Sequence, residues 1–100
     1  MIRHIVLIRF RADVTEATIA GIFAALPRLA AKLGVLHSAC GRSESPEKIE
    51  RGYMHGFTID FANWQALAEY AAEPDHQVFG GQLVAHAEPD GILVFDMAVP

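Results

Sequence analysis

A tyrosine and a histidine flank a proline within the stretch Tyr70–Gly80, and their side chains could act together on a carbonyl compound. Pro74 lacks a backbone donor and disfavours helical dihedrals in the preceding residue, so we expect one helix to end there. Asp75 can cap the next helix, which places His76 near the positive end of the helix dipole. A positive potential disfavours the imidazolium, so His76 should accept a proton near pH 7. The neutral phenol of Tyr70 can donate a hydrogen bond to a developing enolate oxygen.

The first element that must position such a site is the segment Ile2–Phe10, which is rich in β-branched residues and predicts a strand. Alternate residues of this strand, beginning with Ile2 and His4, share one face, and the opposite face carries Ile5 and Leu7. Both faces are apolar in the middle of the segment. We therefore expect this strand to be covered on both sides.

Helices and further strands follow in a regular order. Asp13 and Thr15 are competing caps for a helix of amphipathic spacing, and Pro27 should kink that helix or split it in two. Asn63 can cap the helix that leads to the proline joint, and a short helix should follow the joint. Strands are also predicted over residues 35–42, 53–61 and 92–99, with a turn at 89–91.

The order β-α-β-β-α-β favours an α+β fold of the ferredoxin-like type, with a four-stranded antiparallel sheet and helices on one face. The other face would then expose a contiguous apolar patch, larger than a soluble monomer usually shows. The predicted members of this patch are Ile5, Leu7, Met54, Leu93, Phe95 and Met97. The simplest cover is a second copy of the chain, sheet against sheet, so we expect a homodimer in the form of a dimeric α+β barrel.

Composition limits the functional classes. A chain of 100 residues fits one domain over 1–100, and 52% hydrophobic with 20% charged residues suits a packed core. The net charge of −4 and the scattered basic residues disfavour nucleic acid and membrane as partners. Cys40 is the single cysteine, so no internal disulfide is possible. Because the strand pattern begins almost at Met1 and no apolar run approaches the about 18 residues of a membrane span, we expect a soluble, cytoplasmic protein.

The helix-facing side of the sheet and the helices above it define a candidate pocket for a small apolar or aromatic ligand. Four polar groups would converge there in an otherwise apolar layer: His4, His55, Tyr70 and His76. Since buried imidazoles and phenols need partners, four of them together favour a cavity that admits a polar ligand or water. The predicted apolar lining is Val6, Ile8, Phe23, Leu26, Phe57, Phe79, Gly80 and Val94.

Four segments in register over nearly the whole chain resemble the stress-responsive A/B barrel (Dabb) family of dimeric α+β barrels. These segments are Arg3–Leu7, Gly52–Phe57, Pro74–Gly80 and Val94–Asp96. Each is unspecific alone, and the four together make the resemblance strong. The resemblance implies a homodimer with a pocket in each subunit between sheet and helices. Most members of the family have no known activity, so membership alone does not imply catalysis.

The same family includes a plant polyketide cyclase that closes an aromatic ring by an intramolecular aldol step without a cofactor. By this resemblance, the catalytic tyrosine and histidine of the cyclase correspond to Tyr70 and His76. Its two pocket histidines correspond to His4 and His55. The chain departs from that enzyme near Leu26, where the cyclase has a tyrosine, and at Asp75, where it has alanine. These two differences imply a different substrate rather than a different reaction, because the four matching tyrosine and histidine positions are all present.

Each assignment has a plainer alternative. His76 could cap and pack its helix, and Tyr70 could pack in the core with its hydroxyl at the rim. His4 and His55, on neighbouring strands, could bond each other or buried water. A metal site is disfavoured because the sequence has no HExxH motif, no paired cysteines and no close His-x-His spacing, and no cofactor is expected.

Three functions fit these residues. The first is a cofactor-free cyclase, isomerase or lyase that acts on a small carbonyl compound with His76 as the base. The second is a non-catalytic small-molecule binding or stress-response protein that uses the same pocket. The third, by analogy with other dimeric α+β barrels, is a monooxygenase, either cofactor-free or haem-dependent. The residues favour the first two about equally.

Overall fold

A four-stranded sheet forms the centre of the fold, and the helices lie on one of its faces. A computed structural model describes all residues 1–100. In chain order the elements are β1 (Ile2–Phe10), α1 (Glu16–Phe23), α2 (Leu26–Leu33), β2 (His37–Arg42), β3 (His55–Phe61), α3 (Trp64–Ala72), α4 (Pro74–His86) and β4 (Ala87–Ala98). The strand order is β2-β3-β1-β4, and every neighbouring pair is antiparallel. This topology confirms the predicted ferredoxin-like α+β fold.

The central strand β1 decides which side chains face the helices. Its residue Ile8 lies opposite His55 on β3 and Ile92 on β4. The even-numbered residues of β1 from 2 to 8 are buried, and the odd-numbered ones between them are half-buried. The side chains of the two layers meet in one apolar core that includes Ile2, Val6, Ile8, Ile19, Ile22, Phe23, Leu26, Leu29, Phe57, Ile59, Phe61, Tyr70, Phe79 and Leu83.

The first predicted helix is split in two, as Pro27 led us to expect. Thr15 caps α1, because its side chain accepts a backbone N–H at 3.1 Å, and Asp13 lies outside the helix. The break itself falls at Ala24–Ala25, so Pro27 lies in the first turn of α2, where a missing N–H leaves no hydrogen bond unmade. α2 ends at Gly34, whose φ of 64° is left-handed.

The joint between α3 and α4 has the predicted position and a different cap. Glu73 is extended, with φ −67° and ψ 129°, and separates the two helices. α4 begins at Pro74, so Asp75 lies inside the first turn and makes no capping hydrogen bond. The predicted Asp75 cap is therefore wrong, because proline itself begins the helix one residue earlier. Lys32 ties the joint to α2 through ion pairs of 2.7 Å to Glu73 and 3.0 Å to Asp75.

The last strand is longer than predicted. β4 begins at Ala87, so the separate turn expected at residues 89–91 is wrong. Residues 89–91 instead lie within an irregular part of β4. The pairing with β1 shifts between residues 8 and 10 of β1, and Asp90 has a left-handed φ of 56°. A Cβ on Gly91 would lie 2.7 Å from a backbone oxygen of β1, so the strands approach this closely only because that residue is glycine.

The sheet face without helices, which we call the outer face, is strongly apolar. Leu93, Phe95 and Met97 of β4 are exposed on it, with Phe95 56% exposed. Ile5 and Leu7 of β1 share this face and are half-buried. These five side chains belong to the patch that the strand pattern predicts, and the sixth predicted member, Met54, is half-buried and directly precedes β3. None of the helices combines the length and the hydropathy that a membrane crossing requires.

Asp60 is a buried carboxylate, and its ion pair with Arg3 predicts how stability depends on pH. Its oxygens lie 2.9 Å from Nε and 3.2 Å from Nη2 of Arg3, and Asp60 is 4% exposed. The hydrogen bond from Arg3 lowers the pKa of the Asp60 carboxyl. A lowered folded-state pKa contributes stability above the unfolded pKa of about 3.9, and this contribution is lost as the pH falls through the folded-state value.

Asp60→Asn should therefore lower the free energy of unfolding by about 1–2 kcal/mol at pH 7 and by less near pH 3. Urea unfolding at both pH values measures the difference. Asp13→Asn is the matched control, because Asp13 is 77% exposed in its side chain and lies 3.4 Å from Arg11. An Asp60→Asn protein with the same loss of stability at both pH values would contradict this account.

Candidate functional site

Tyr70 and His76 lie against each other across the joint between α3 and α4. Their ring centroids are 4.2 Å apart, and the ring planes are tilted by 48°. Tyr70 belongs to the last turn of α3 and His76 to the first turn of α4. The two rings are thus held on separate rigid elements, and the turn at Pro74 sets their distance.

The hydroxyl group of Tyr70 is buried and has no partner. The residue is 2% exposed, and Oη makes no hydrogen bond within the protein. Burial raises the pKa of the Tyr70 phenol far above its ordinary value, because the phenolate would lose its hydration. The group is therefore a neutral donor. A buried donor without an acceptor costs about 1–3 kcal/mol, a cost that a ligand oxygen at hydrogen-bonding distance would remove.

The imidazole of His76 makes one hydrogen bond within the protein, to a backbone carbonyl oxygen. Its Nδ1 lies 3.2 Å from the carbonyl oxygen of Ala71, which assigns the proton to Nδ1 and the lone pair to Nε2. Desolvation lowers the pKa of His76 below its usual 6.5, the hydrogen bond to Ala71 opposes this shift, and the charge of His4 adds to it. The side chain is half-buried. Near pH 7 the ring is therefore neutral, with Nε2 free to accept.

His4 and Asp96 complete the group of polar side chains around Tyr70. The His4 ring lies 5.7 Å from the Tyr70 ring, and its Nδ1 lies 2.5 Å from Oδ1 of Asp96. The two residues face each other in the register of β1 and β4. Asp96 is not among the predicted site residues, although its alternation with Val94 along β4 places it on the helix-facing side. We call Tyr70, His76, His4 and Asp96 the tyrosine–histidine cluster.

His55 lies apart from this cluster. The register of β1 and β3 places His55 opposite Ile8, whereas His4 lies opposite Ile59. The two histidines are thus four residues apart along the sheet, about 13 Å at about 3.3 Å per residue. His55 instead bonds the carboxylate of Glu16 at 3.0 Å. The expected convergence of all four polar groups is wrong for His55, and so is the direct bond between His4 and His55.

The predicted apolar lining falls into two groups. Six of its residues are tightly packed core residues, none more than 6% exposed: Val6, Ile8, Phe23, Leu26, Phe57 and Phe79. The Phe57 ring lies 5.3 Å from that of Phe79 and 6.1 Å from that of Phe23. Val94 is 54% exposed, and a Cβ on Gly80 would meet no atom within 4 Å. The cluster therefore borders the packed core on one side and the edge strand β4 on the other.

Several concavities lie outside the cluster, and two of them border the helices. A groove of about 520 Å³ runs between α1, α2 and α4, and a hollow of about 380 Å³ lies beside His55, Glu16 and Cys40. No three His, Cys, Asp or Glu side chains gather closely enough to hold a metal ion.

The fold and the cluster define a class: a ferredoxin-like α+β domain that holds a tyrosine and a histidine between its sheet and its helices. The chain belongs to the family described as the Stress responsive A/B Barrel Domain, which it matches over residues 2–99. This match confirms the resemblance drawn from the four sequence segments.

Known proteins agree with this assignment. The stress-response A/B barrel domain-containing protein HS1 of Arabidopsis thaliana is 30% identical over 98 residues, which span 95% of this chain and 86% of that protein. A dimeric ferredoxin-like protein of unknown function from Jannaschia sp. CCS1 superposes with a TM-score of 0.90 at 34% identity, covering 98% of both chains. The hydroxynitrile lyase of Passiflora edulis superposes with a TM-score of 0.86, covering 99% of this chain and 93% of that chain. At 20% identity, this last likeness concerns the fold alone.

Proposed function

We propose that this protein is a cofactor-free enzyme, similar to a polyketide cyclase, that removes a proton beside a carbonyl group of a small apolar or aromatic compound. His76 is the base and Tyr70 is the hydrogen-bond donor. The observation that carries the proposal is the buried, unpartnered hydroxyl of Tyr70 beside a neutral imidazole whose Nε2 is free.

The chemistry follows from these two atoms. Nε2 of His76 takes the proton from the carbon beside the carbonyl, and the electron pair of that C–H bond moves to the carbonyl oxygen. The hydroxyl of Tyr70 donates to the enolate oxygen, and its hydrogen bond is stronger in this poorly hydrated site than in water. The enolate carbon then attacks a second carbonyl carbon, and the imidazolium returns its proton to the new alkoxide. Proton and electrons balance without a cofactor.

Asp96 adds a positioning element to this scheme. Its carboxylate accepts a hydrogen bond from Nδ1 of His4, which fixes the orientation of the His4 ring. That ring lies edge-on to Tyr70, with 66° between the planes. His4 and Asp96 thereby hold the phenol against His76 from the side of the sheet.

A small-molecule binding protein is the second candidate. A bound ligand could satisfy the Tyr70 hydroxyl with a carbonyl oxygen and undergo no reaction. Both candidates use the same donor and differ only in the role of His76.

We also infer that the chain forms a homodimer through its outer face. The apolar residues of that face are exposed in the single chain, and a contiguous patch of this kind normally marks an interaction surface. The relative from Jannaschia, 34% identical over nearly the whole chain, is itself dimeric. Two sheets packed face to face would cover both patches at once and form a barrel.

Tyr70→Phe is the variant that tests the role of the hydroxyl. The ring and its packing remain and only the unpartnered oxygen is lost, so the free energy of unfolding should change by less than about 1 kcal/mol. Turnover of an accepted substrate should fall by about 10²- to 10³-fold, as expected when one oxyanion donor is removed. The measurement is steady-state kinetics on β-diketo and polyketide-like acids, with urea unfolding beside it.

The two candidate functions predict different patterns in that screen. An enzyme turns over a carbonyl compound in the wild type and loses turnover in Tyr70→Phe. A binding protein turns over none of them, and Tyr70→Phe changes only ligand affinity. Full turnover in the Tyr70→Phe variant would remove the phenol from the mechanism.

A further inference from the structure

The groove between α1, α2 and α4 is separate from the tyrosine–histidine cluster. Its floor is apolar and consists of Ile22, Leu29 and Phe79, each of which is buried. Its volume of about 520 Å³ lies within the range of about 300–1,000 Å³ that is typical of small-molecule sites. His76 is not among the residues that line it, so a ligand here would not contact the proposed base.

Residue 21 helps to keep the groove open. Gly21 lies on its wall, and a Cβ at this position would meet no atom within 4 Å. Glycine in a helix interior is less stable than alanine by about 1 kcal/mol, and neither backbone strain nor a close approach of another element accounts for it at this position. A larger side chain at residue 21 would extend into the space above Leu29 and Phe79.

The charged groups of the groove leave one cation free. Lys32 is engaged by Glu73 at 2.7 Å and by Asp75 at 3.0 Å. Arg28 also lines the groove and makes neither an ion pair nor a side-chain hydrogen bond. Lys32 is thus shared by two carboxylates, Glu73 and Asp75, and Arg28 is the charged lining residue that has no partner.

We propose that this groove binds a small amphipathic carboxylate, that is, an aromatic or medium-chain aliphatic acid with a single negative charge. The apolar body of the acid lies on Ile22, Leu29 and Phe79, and its carboxylate pairs with the guanidinium of Arg28. A guanidinium presents two parallel N–H donors that match the two oxygens of a carboxylate. A single free cation suits a monoanion better than a phosphate, whose second charge would remain uncompensated.

This site does not depend on the proposed enzymatic function. The candidate reaction uses His76 and Tyr70, whereas the groove uses Arg28 and the outward-facing side of α4. Loss of the groove ligand would leave the proton-transfer groups in place. The two proposals can therefore fail separately.

The test is a titration of the wild-type protein with 1-naphthoate, followed by amide chemical shifts, with the neutral 1-naphthamide beside it. We expect saturable shifts around Ile22, Leu29 and Phe79. Arg28→Gln should weaken naphthoate binding about tenfold or more and leave naphthamide binding unchanged, because only the charge-assisted pair is lost. Arg51→Gln, which removes an exposed cation from the loop after β2, is the matched control and should bind as the wild type does.

A second variant tests the cavity rather than the charge. Gly21→Leu should abolish binding of both probes, while circular dichroism shows an intact fold, since leucine favours a helix more than glycine does. Equal naphthoate affinity in Arg28→Gln and wild type would overturn the proposal. So would shifts confined to Tyr70, His76 and β4, which would place the acid in the cluster instead, or the absence of saturable binding.

Discussion

Replacing His76 by alanine is expected to lower kcat for an accepted carbonyl substrate by about 10²- to 10⁴-fold, the range that general base catalysis contributes. The substitution removes Nε2, the free acceptor beside the buried hydroxyl of Tyr70. Folding should change little, because the ring is half-buried and makes one hydrogen bond of 3.2 Å to Ala71. Steady-state kinetics on a substrate found in the screen measures the effect.

The pH dependence of kcat/KM in the wild-type protein also tests whether His76 is the base. His76 acts as a base only when neutral, and burial lowers its pKa below the usual 6.5. The ratio kcat/KM should therefore be highest where His76 is neutral and should fall as the pH drops through this lowered pKa. His76→Ala should lack this acid limb. A wild-type profile that falls already above pH 7 would contradict the role of His76.

The chain contains a matched control for this experiment. His86 lies on the same helix and, like His76, has its Nδ1 near a backbone carbonyl oxygen, that of Gln82 at 2.7 Å. It lies in the last turn of α4, and no aromatic contact links it to Tyr70. His86→Ala should keep the wild-type kcat. An equal loss in both variants would indicate damage to α4 rather than loss of a base.

Short-range patterns in the sequence predict much of the site. The alternation along β1 places His4 on the helix-facing side, because side chains of a strand point to opposite faces in turn. Pro74 predicts the end of α3, and hence the joint between Tyr70 and His76, because proline disfavours helical dihedrals in the residue before it. These features depend on residues within a few positions of one another, and the structure has each of them.

The missed features depend on residues that are distant in the sequence. Whether His4 meets His55 or Asp96 depends on the register of three strands, and nothing local to any of them specifies that register. Whether Phe57 and Phe79 line a cavity or fill it depends on the spacing between sheet and helices to a fraction of an ångström. An alternating pattern identifies the buried face of a strand but does not reveal empty space.

Leu7→Asp is expected to convert the proposed homodimer to a monomer or to make the protein insoluble. Leu7 lies at the middle of β1 on the outer face, opposite Gly56 on β3 and Leu93 on β4. A Cβ on Gly56 would lie 2.8 Å from Cδ2 of Leu7, so the leucine side chain covers the glycine and stands at the centre of the patch. An aspartate there would bring a charge into an apolar surface that the partner sheet covers.

The size of the effect follows from the symmetry of the dimer. A two-fold axis places the substitution in the interface twice, and burial of a charge without a partner costs several kcal/mol for each copy. Even about 4 kcal/mol in total raises the dissociation constant about 10³-fold, so a micromolar sample should separate into monomers. Light scattering during size-exclusion chromatography measures the mass.

Val84→Asp is the control, because Val84 is an apolar residue of α4 that is 68% exposed and lies away from the outer face. A well-folded wild-type monomer at micromolar concentration, or a Leu7→Asp protein that remains dimeric, would mean that the outer face is not the interface.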